Sequence, residues 1–239
     1  MLRDKKVVVL GGSRGIGLAV AELAAAEGAK LVVVASQAAS VATAVARLPS
    51  GTAGFTVDLR SPDSIGKLFA DIGPFDHLVY TAGEPIPFGP HVAELDLAAA
   101  RGYFDVRFWG VLQAVQAAKP FILPGGSIVL TGGTSARRPP AGFAIGASIS
   151  GAVESLGRAL AIELAPLRVN VVVPGMVTTE LWSAIPPAAR EQMFADVGSR
   201  LPVGRVGTPA DLAEAYVSLL RSDYTTGQSV VVDGGATLV

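Results

Sequence analysis

Val7-Val8-Val9-Leu10-Gly11-Gly12-Ser13-Arg14-Gly15-Ile16-Gly17 runs from an unbroken apolar stretch straight into a glycine-rich turn. A short, β-branched, continuously apolar run is the pattern of a strand buried on both faces, as in a parallel sheet. The residues that follow, from about Ile16 to Glu27, read as a helix. Glycines permit positive φ and close approach of a ligand to the backbone, and the helix start offers free amides and a positive dipole end. Strand, glycine turn and helix in that order form the context of a pyrophosphate cradle, so Gly11, Ser13, Arg14, Gly15, Ile16 and Gly17 are expected to hold a dinucleotide. A tight strand-to-helix turn is the plain alternative. The spacing is G-x-x-x-G-x-G, not the more widespread G-x-G-x-x-G.

Outward from this segment, short apolar runs alternate with helical stretches. Gly28 stands where a left-handed residue closes the first helix. Strands are expected at Leu31–Val34, Phe55–Val57, His77–Tyr80, Ser127–Leu130, Val169–Val173 and Ser229–Val232. Helices are expected at about Ser40–Leu48, after Ser61-Pro62, at about 94–118 (Glu94 to Ala118), at about 143–164 (Phe143 to Leu164) and after Thr208-Pro209, where Ser or Thr before Pro is a cap-and-first-turn signal. End-to-end alternation predicts one doubly wound Rossmann domain over residues 1–239, a seven-stranded parallel sheet with helices on both faces. The one long irregular stretch, 177–205, carries Pro186-Pro187 and Pro202 and reads as a substrate lid.

Composition narrows the function classes. The chain has 239 residues, 50% hydrophobic and 16% charged, with a formal net charge of −1. That balance gives no electrostatic reason to bind nucleic acid or an anionic membrane. The absence of cysteine excludes disulfides, thiolate catalysis and zinc–thiolate sites, and no metal site is expected. No signal-peptide pattern and no uninterrupted apolar span of membrane length is seen, so a cytoplasmic protein is expected. The apolar excess suggests that another subunit covers part of the surface.

The end of the second strand discriminates between cofactors. A carboxylate there would bond the ribose hydroxyls of NAD. The sequence is Val34-Ala35-Ser36-Gln37-Ala38, without an acid, and Arg14 lies in the glycine loop. Arg14, Ser36 and Gln37 would suit a 2′-phosphate, which favours NADP(H) over NAD(H); alternatively these side chains are merely solvated.

With these features the chain resembles the short-chain dehydrogenase/reductase family along essentially its whole length. Leu10 to Gly17 is similar to the family's T-G-x-x-x-G-x-G, with Leu10 in place of threonine. Asp58-Leu59 resembles its adenine-contacting pair, and Tyr80-Thr81-Ala82-Gly83 its N-N-A-G. Pro174-Gly175-Met176-Val177-Thr178-Thr179 resembles its P-G motif at the nicotinamide. Thr226-Gly227-Gln228 and Asp233-Gly234-Gly235 resemble its terminal strand. The resemblance implies cofactor contacts from Asp58, Leu59, Thr81, Ala82, Gly83, Thr131, Pro174, Gly175, Val177 and Thr179.

The family's acid–base set is Asn, Ser, Tyr and Lys. Its lysine lowers the pKa of a phenol that is ~10 when unperturbed. The resemblance places these four positions on Arg107, Gly133, Gly146 and Ser150, and neither tyrosine nor lysine occurs between Lys119 and Tyr216. Arg107 is then a candidate cation for an oxyanion or enolate, or an ordinary arginine paired with nearby Asp105. Ser150, Ser135 and His91 are further catalytic candidates, and Thr134, Arg137 and Arg138 lie where a polar or anionic substrate would bind. Three functions remain open: an NADP(H)-dependent reductase of a small carbonyl, enone or related substrate by a non-standard mechanism; an inactive NADP(H)-binding sensor or partner subunit; or a non-redox lyase, isomerase or cyclase. The resemblance also implies a homodimer or homotetramer formed through the helices around 94–118 and 143–164.

Overall fold

The computed structural model describes residues 1–85 and 91–239. Seven strands, β1 (Lys6–Leu10), β2 (Lys30–Ala35), β3 (Ala53–Thr56), β4 (Phe75–Tyr80), β5 (Ile122–Thr131), β6 (Arg168–Pro174) and β7 (Ser229–Val232), form one sheet in the order β3-β2-β1-β4-β5-β6-β7. Every adjacent pair is parallel. The order reverses between β1 and β4, and the crevice outside the carboxyl ends of strands at such a switch is where ligands bind in this architecture.

Alternation along β1 explains how one strand serves two cores. Val8 and Leu10 point to one layer, with α3 (Pro62–Ile72), α5 (Gly110–Ala118) and α6 (Ala144–Glu163). Val7 and Val9 point to the other, with α1 (Gly15–Ala26), α2 (Ala38–Arg47) and α8 (Pro209–Arg221). Both faces of the strand are therefore apolar. Helix starts follow their local chemistry: the Ser61 hydroxyl accepts from the Ser64 N–H, and Thr208 with Asp211 forms a reciprocal capping box. Gly28 adopts φ +89° and closes α1, as expected.

Several element bounds depart from the sequence reading. α2 begins at Ala38, not Ser40, β3 ends at Thr56, and β5 starts at Ile122, through a Pro124-Gly125-Gly126 stretch that resembles a turn. The helix expected from Glu94 starts later: Val92–Glu94 is a 3₁₀ turn, and Asp96 caps α4 (Leu97–Phe104) with its carboxylate. α4 then passes into α5 through a π segment at Asp105–Trp109. The stretch 177–205 holds a 3₁₀ turn at Glu180–Trp182 and α7 (Pro187–Gly198). Among the described residues no helix is long and apolar enough to cross a membrane.

Candidate functional site

The glycine loop leaves β1 and meets the end of β4. A β-carbon on Gly11 would lie 2.5 Å from the Ala82 nitrogen, and one on Gly17 would overlap the Gly11 carbonyl and the Thr81 hydroxyl. Thr81 donates to the carbonyls of Leu10 and Gly11. Gly11 and Gly17 are thus required by backbone proximity alone, so the tight-turn reading holds as far as it goes. The first turn of α1 has a further property: Arg14 occupies its N-cap position with no side-chain cap, which leaves the amide end open. Arg14 itself is exposed, as are Ser36 and Gln37 beyond β2. An amide end flanked by a cation and two neutral polar groups fits the phosphates of a dinucleotide, with the Glu180 carboxylate as an acidic neighbour at Gly15.

On the opposite side of the loop, β6 leads into Pro174-Gly175 and segment 177–205. Val177 is buried and bridges to Gly207, and its carbonyl accepts from the Trp182 indole. Trp182 packs edge-on against Phe194 of α7. A β-carbon on Gly15 would stand 3.3 Å from Thr179 Cγ2 and 3.4 Å from Glu180 Oε2, so the start of segment 177–205 lies over the glycine loop. Asp58, beyond β3, accepts from the Arg60 N–H, and the Arg60 guanidinium spans from Asp58 to the Glu84 carboxylate.

Between β4, β5, α5 and α6 lies a cleft lined by Tyr80, Thr81, Ala82, Arg107, Thr131 and Ser150 among others. Arg107 is half-buried. It does not pair with Asp105: Nε and Nη2 both donate to the main-chain carbonyl of Glu84, Nε at 2.9 Å. A β-carbon on Gly83 would fall 2.6 Å from Arg107 Cζ, so the guanidinium lies against that glycine. Burial lowers the Arg107 pKa, and the Glu84 and Tyr80 charges oppose that shift. Among the described residues no carboxylate forms an ion pair with it. A cation held this way is available to negative charge that develops in the cleft.

Ser135 and Ser150 share a hydroxyl–hydroxyl bond of 3.1 Å, and a β-carbon on Gly133 would lie 2.9 Å from Ser150 Oγ. Ser150 and Arg107 therefore line one cleft, with Ser135 and Gly133 immediately behind Ser150. Gly146 lies one turn earlier on α6, beneath the Phe143 ring. Thr131 reaches the cleft, but its hydroxyl is engaged by the Tyr80 carbonyl and the Tyr216 hydroxyl, each at 2.6 Å. His91 is exposed, begins the 3₁₀ turn, and is not among the cleft-lining residues. The arginine pair is also taken up. Arg137 binds Glu154 at 2.8 Å, and Arg138 donates to the Ala236 carbonyl. No group of metal-ligating side chains occurs among the described residues. Sequence reasoning missed the Glu84 main-chain carbonyl as the anchor of Arg107 and the Tyr80 hydroxyl as a donor to the Val106 carbonyl.

A parallel sheet in this strand order, with a glycine loop after β1 and a cleft at the strand carboxyl ends, defines a Rossmann-type dinucleotide-binding protein. A family profile described as "Enoyl-(Acyl carrier protein) reductase" matches residues 11–237. The short-chain dehydrogenase/reductase ATR9 of Stachybotrys chlorohalonatus is 36% identical, over 99% of this chain and 98% of its own. The human 3-oxoacyl-[acyl-carrier-protein] reductase is 31% identical, over 99% of both chains. Among solved structures, a small-chain dehydrogenase in complex with NADPH superposes with a TM-score of 0.84 at 33% identity, covering 99% of this chain and 100% of that one. MalC reductase/Diels-Alderase from Malbranchea aurantiaca gives a TM-score of 0.91 at 28% identity, covering 100% and 98%. The chain belongs to the short-chain dehydrogenase/reductase family, a family of nicotinamide-dependent oxidoreductases.

Proposed function

We propose that this chain is an NADP(H)-dependent reductase of a small carbonyl, enone or related substrate that works without a tyrosine–lysine acid–base pair. The observation that carries the reading is Arg107: a half-buried guanidinium at the cleft, anchored to a carbonyl and not to a carboxylate. The open amide end of α1, with Gly11 to Gly17, would hold the pyrophosphate, and Arg14, Ser36 and Gln37 the 2′-phosphate. Asp58 and Leu59 would flank the adenine; Ala82, Gly83, Pro174, Gly175, Val177 and Thr179 would flank the nicotinamide end. When bound, the nicotinamide supplies or accepts a hydride. Arg107 would stabilise negative charge on the substrate oxygen, and the Ser135–Ser150 pair would orient it. Segment 177–205 would exclude water. A homodimer or homotetramer through α4–α5 and α6 fits Trp109 and Ile162, which expose 53% and 80% of their surface there.

The test is NADPH consumption by the purified chain across ketone and enone panels. The expected result is turnover of at least one class, with Arg107→Ala lowering kcat by about 10²–10³-fold and leaving NADPH affinity nearly unchanged. Tight NADPH binding with no turnover in any panel would instead support a non-catalytic binding protein.

A second reading is favoured by the likeness to MalC, whose name joins reductase with Diels-Alderase. A cleft shaped by Arg107 and apolar neighbours would then hold a flexible substrate for ring closure, a reaction that needs positioning and no hydride. Product formation without NADPH consumption would distinguish it.

A further inference from the structure

The helix that carries Arg107 is widened at Asp105–Trp109, where the Gly110 N–H reaches back five residues to the Asp105 carbonyl. Such a π turn inserts one extra residue and disturbs the regular carbonyl partners, so it persists only where something holds it. Tyr80, at the end of β4, reaches this turn. The residue is 2% exposed, and its hydroxyl donates to the Val106 carbonyl at 2.5 Å. A β-carbon on Gly110 would lie 2.8 Å from that hydroxyl, so glycine is what lets the ring tip reach the helix. The other end of Tyr80 is fixed in the sheet, where its carbonyl accepts the Thr131 hydroxyl. The next residue after Val106 is Arg107.

We propose that Tyr80 is a positioning residue for Arg107: its hydroxyl pins the Val106 carbonyl, holds the wide turn, and so turns the guanidinium into the cleft. The functional part of this rests on the reading of Arg107 as the cleft's cation. The geometric reason is helical phase. Closing a wide turn to regular α-helix moves the hydrogen-bond register by one residue, which rotates the side chains on one side of it by about 100° relative to those on the other. With Val106 released, the turn relaxes toward regular α-helix, and Arg107 loses its line to the Glu84 carbonyl.

Tyr80→Phe in the full chain tests it. The first readout is the Arg107 Nε–H resonance, assigned by its disappearance in Arg107→Lys. It is expected to be protected from solvent exchange in the native protein, and shifted and unprotected in Tyr80→Phe. A folded Tyr80→Phe with that resonance unchanged overturns the proposal. The second readout is kinetic: kcat falls by about 10- to 100-fold, while NADPH affinity stays within about twofold of the parent, the pattern of a lost transition-state interaction. A shifted resonance with unchanged kcat supports the positioning and overturns the catalytic reading of Arg107 instead. If Tyr80→Phe does not fold, uniform 3-fluorotyrosine labelling strengthens the hydroxyl donor. The Arg107 resonance then shifts if the proposal holds and is unmoved if it fails.

Discussion

Phe143 lays its ring across Gly146: a β-carbon at Gly146 would fall 2.5 Å from the ring's Cζ and 2.6 Å from its Cδ1. The aromatic ring thus occupies the volume that any side chain at position 146 would need. Gly146→Ala is expected to cost about 1 kcal/mol through overpacking. In a Phe143→Ala background the same change is expected to be neutral or stabilising, because alanine exceeds glycine in helix interiors by about 1 kcal/mol. Urea midpoints of the four proteins of this cycle measure the coupling, and strict additivity would show that the ring does not restrict the site.

The cofactor preference rests on exposed side chains and is open to a direct exchange. Gln37→Asp places a carboxylate beyond β2, where the chain has none. NADPH affinity is expected to fall by about tenfold or more, or about 1.4 kcal/mol, while NADH affinity holds or improves. Fluorescence titration of both cofactors measures this. Equal affinities in the parent protein would remove the basis for Arg14, Ser36 and Gln37 as 2′-phosphate ligands.

Arg137 and Glu154 differ in what each leaves behind. The Glu154 side chain is 9% exposed and that of Arg137 is 40% exposed. Arg137→Ala therefore strands a buried carboxylate and is expected to cost about 1–3 kcal/mol. Glu154→Gln leaves the arginine free to reach water and should cost less. Denaturant midpoints give the order, and the reverse order would mean that the ion pair is not what stabilises this corner.

His77 makes stability depend on pH. It is buried in β4 and bonds Ser127 Oγ through Nδ1 at 2.9 Å. Burial pulls its pKa down to about 4, against the pull of Asp76, while the charges of Arg168 and Lys5 add to the lowering and Asp223 opposes it. The unfolded chain takes up this proton near pH 6.5 and the folded chain only near 4. Stability is therefore full above about 6.5 and declines as the pH falls toward 4, by about 3 kcal/mol in all. His77→Gln should flatten the denaturant-midpoint profile across that window, and an unchanged slope would assign the loss to other groups.

Much of the architecture was legible because it is written in local chemistry. Val7 to Leu10, with Gly11 to Gly17 behind them, announce a buried strand and a phosphate-compatible turn, and Ser61-Pro62 and Thr208-Pro209 mark helix starts. The Asp105–Trp109 π segment was not legible, since one inserted residue barely alters an apolar period. Its cause, the Tyr80 hydroxyl, is 26 residues away from Val106. The partner of Arg107 was missed for a related reason: Asp105 is near in sequence, but a main-chain carbonyl 23 residues away takes the bond. Backbone acceptors carry no residue-type signal. Pro124-Gly125-Gly126 conceals the start of β5, because turn-forming residues here sit within an extended strand.

The Thr131 hydroxyl joins the carbonyl of Tyr80 on one side to the hydroxyl of Tyr216 on the other, and Tyr216 belongs to α8, in the layer across the sheet from Arg107. The floor of the cleft is therefore wired to the back of the protein by two short bonds. Any substitution that removes the Thr131 hydroxyl would therefore undo bonds on both sides at once, one to the strand that ends at the cleft and one to the layer of α8.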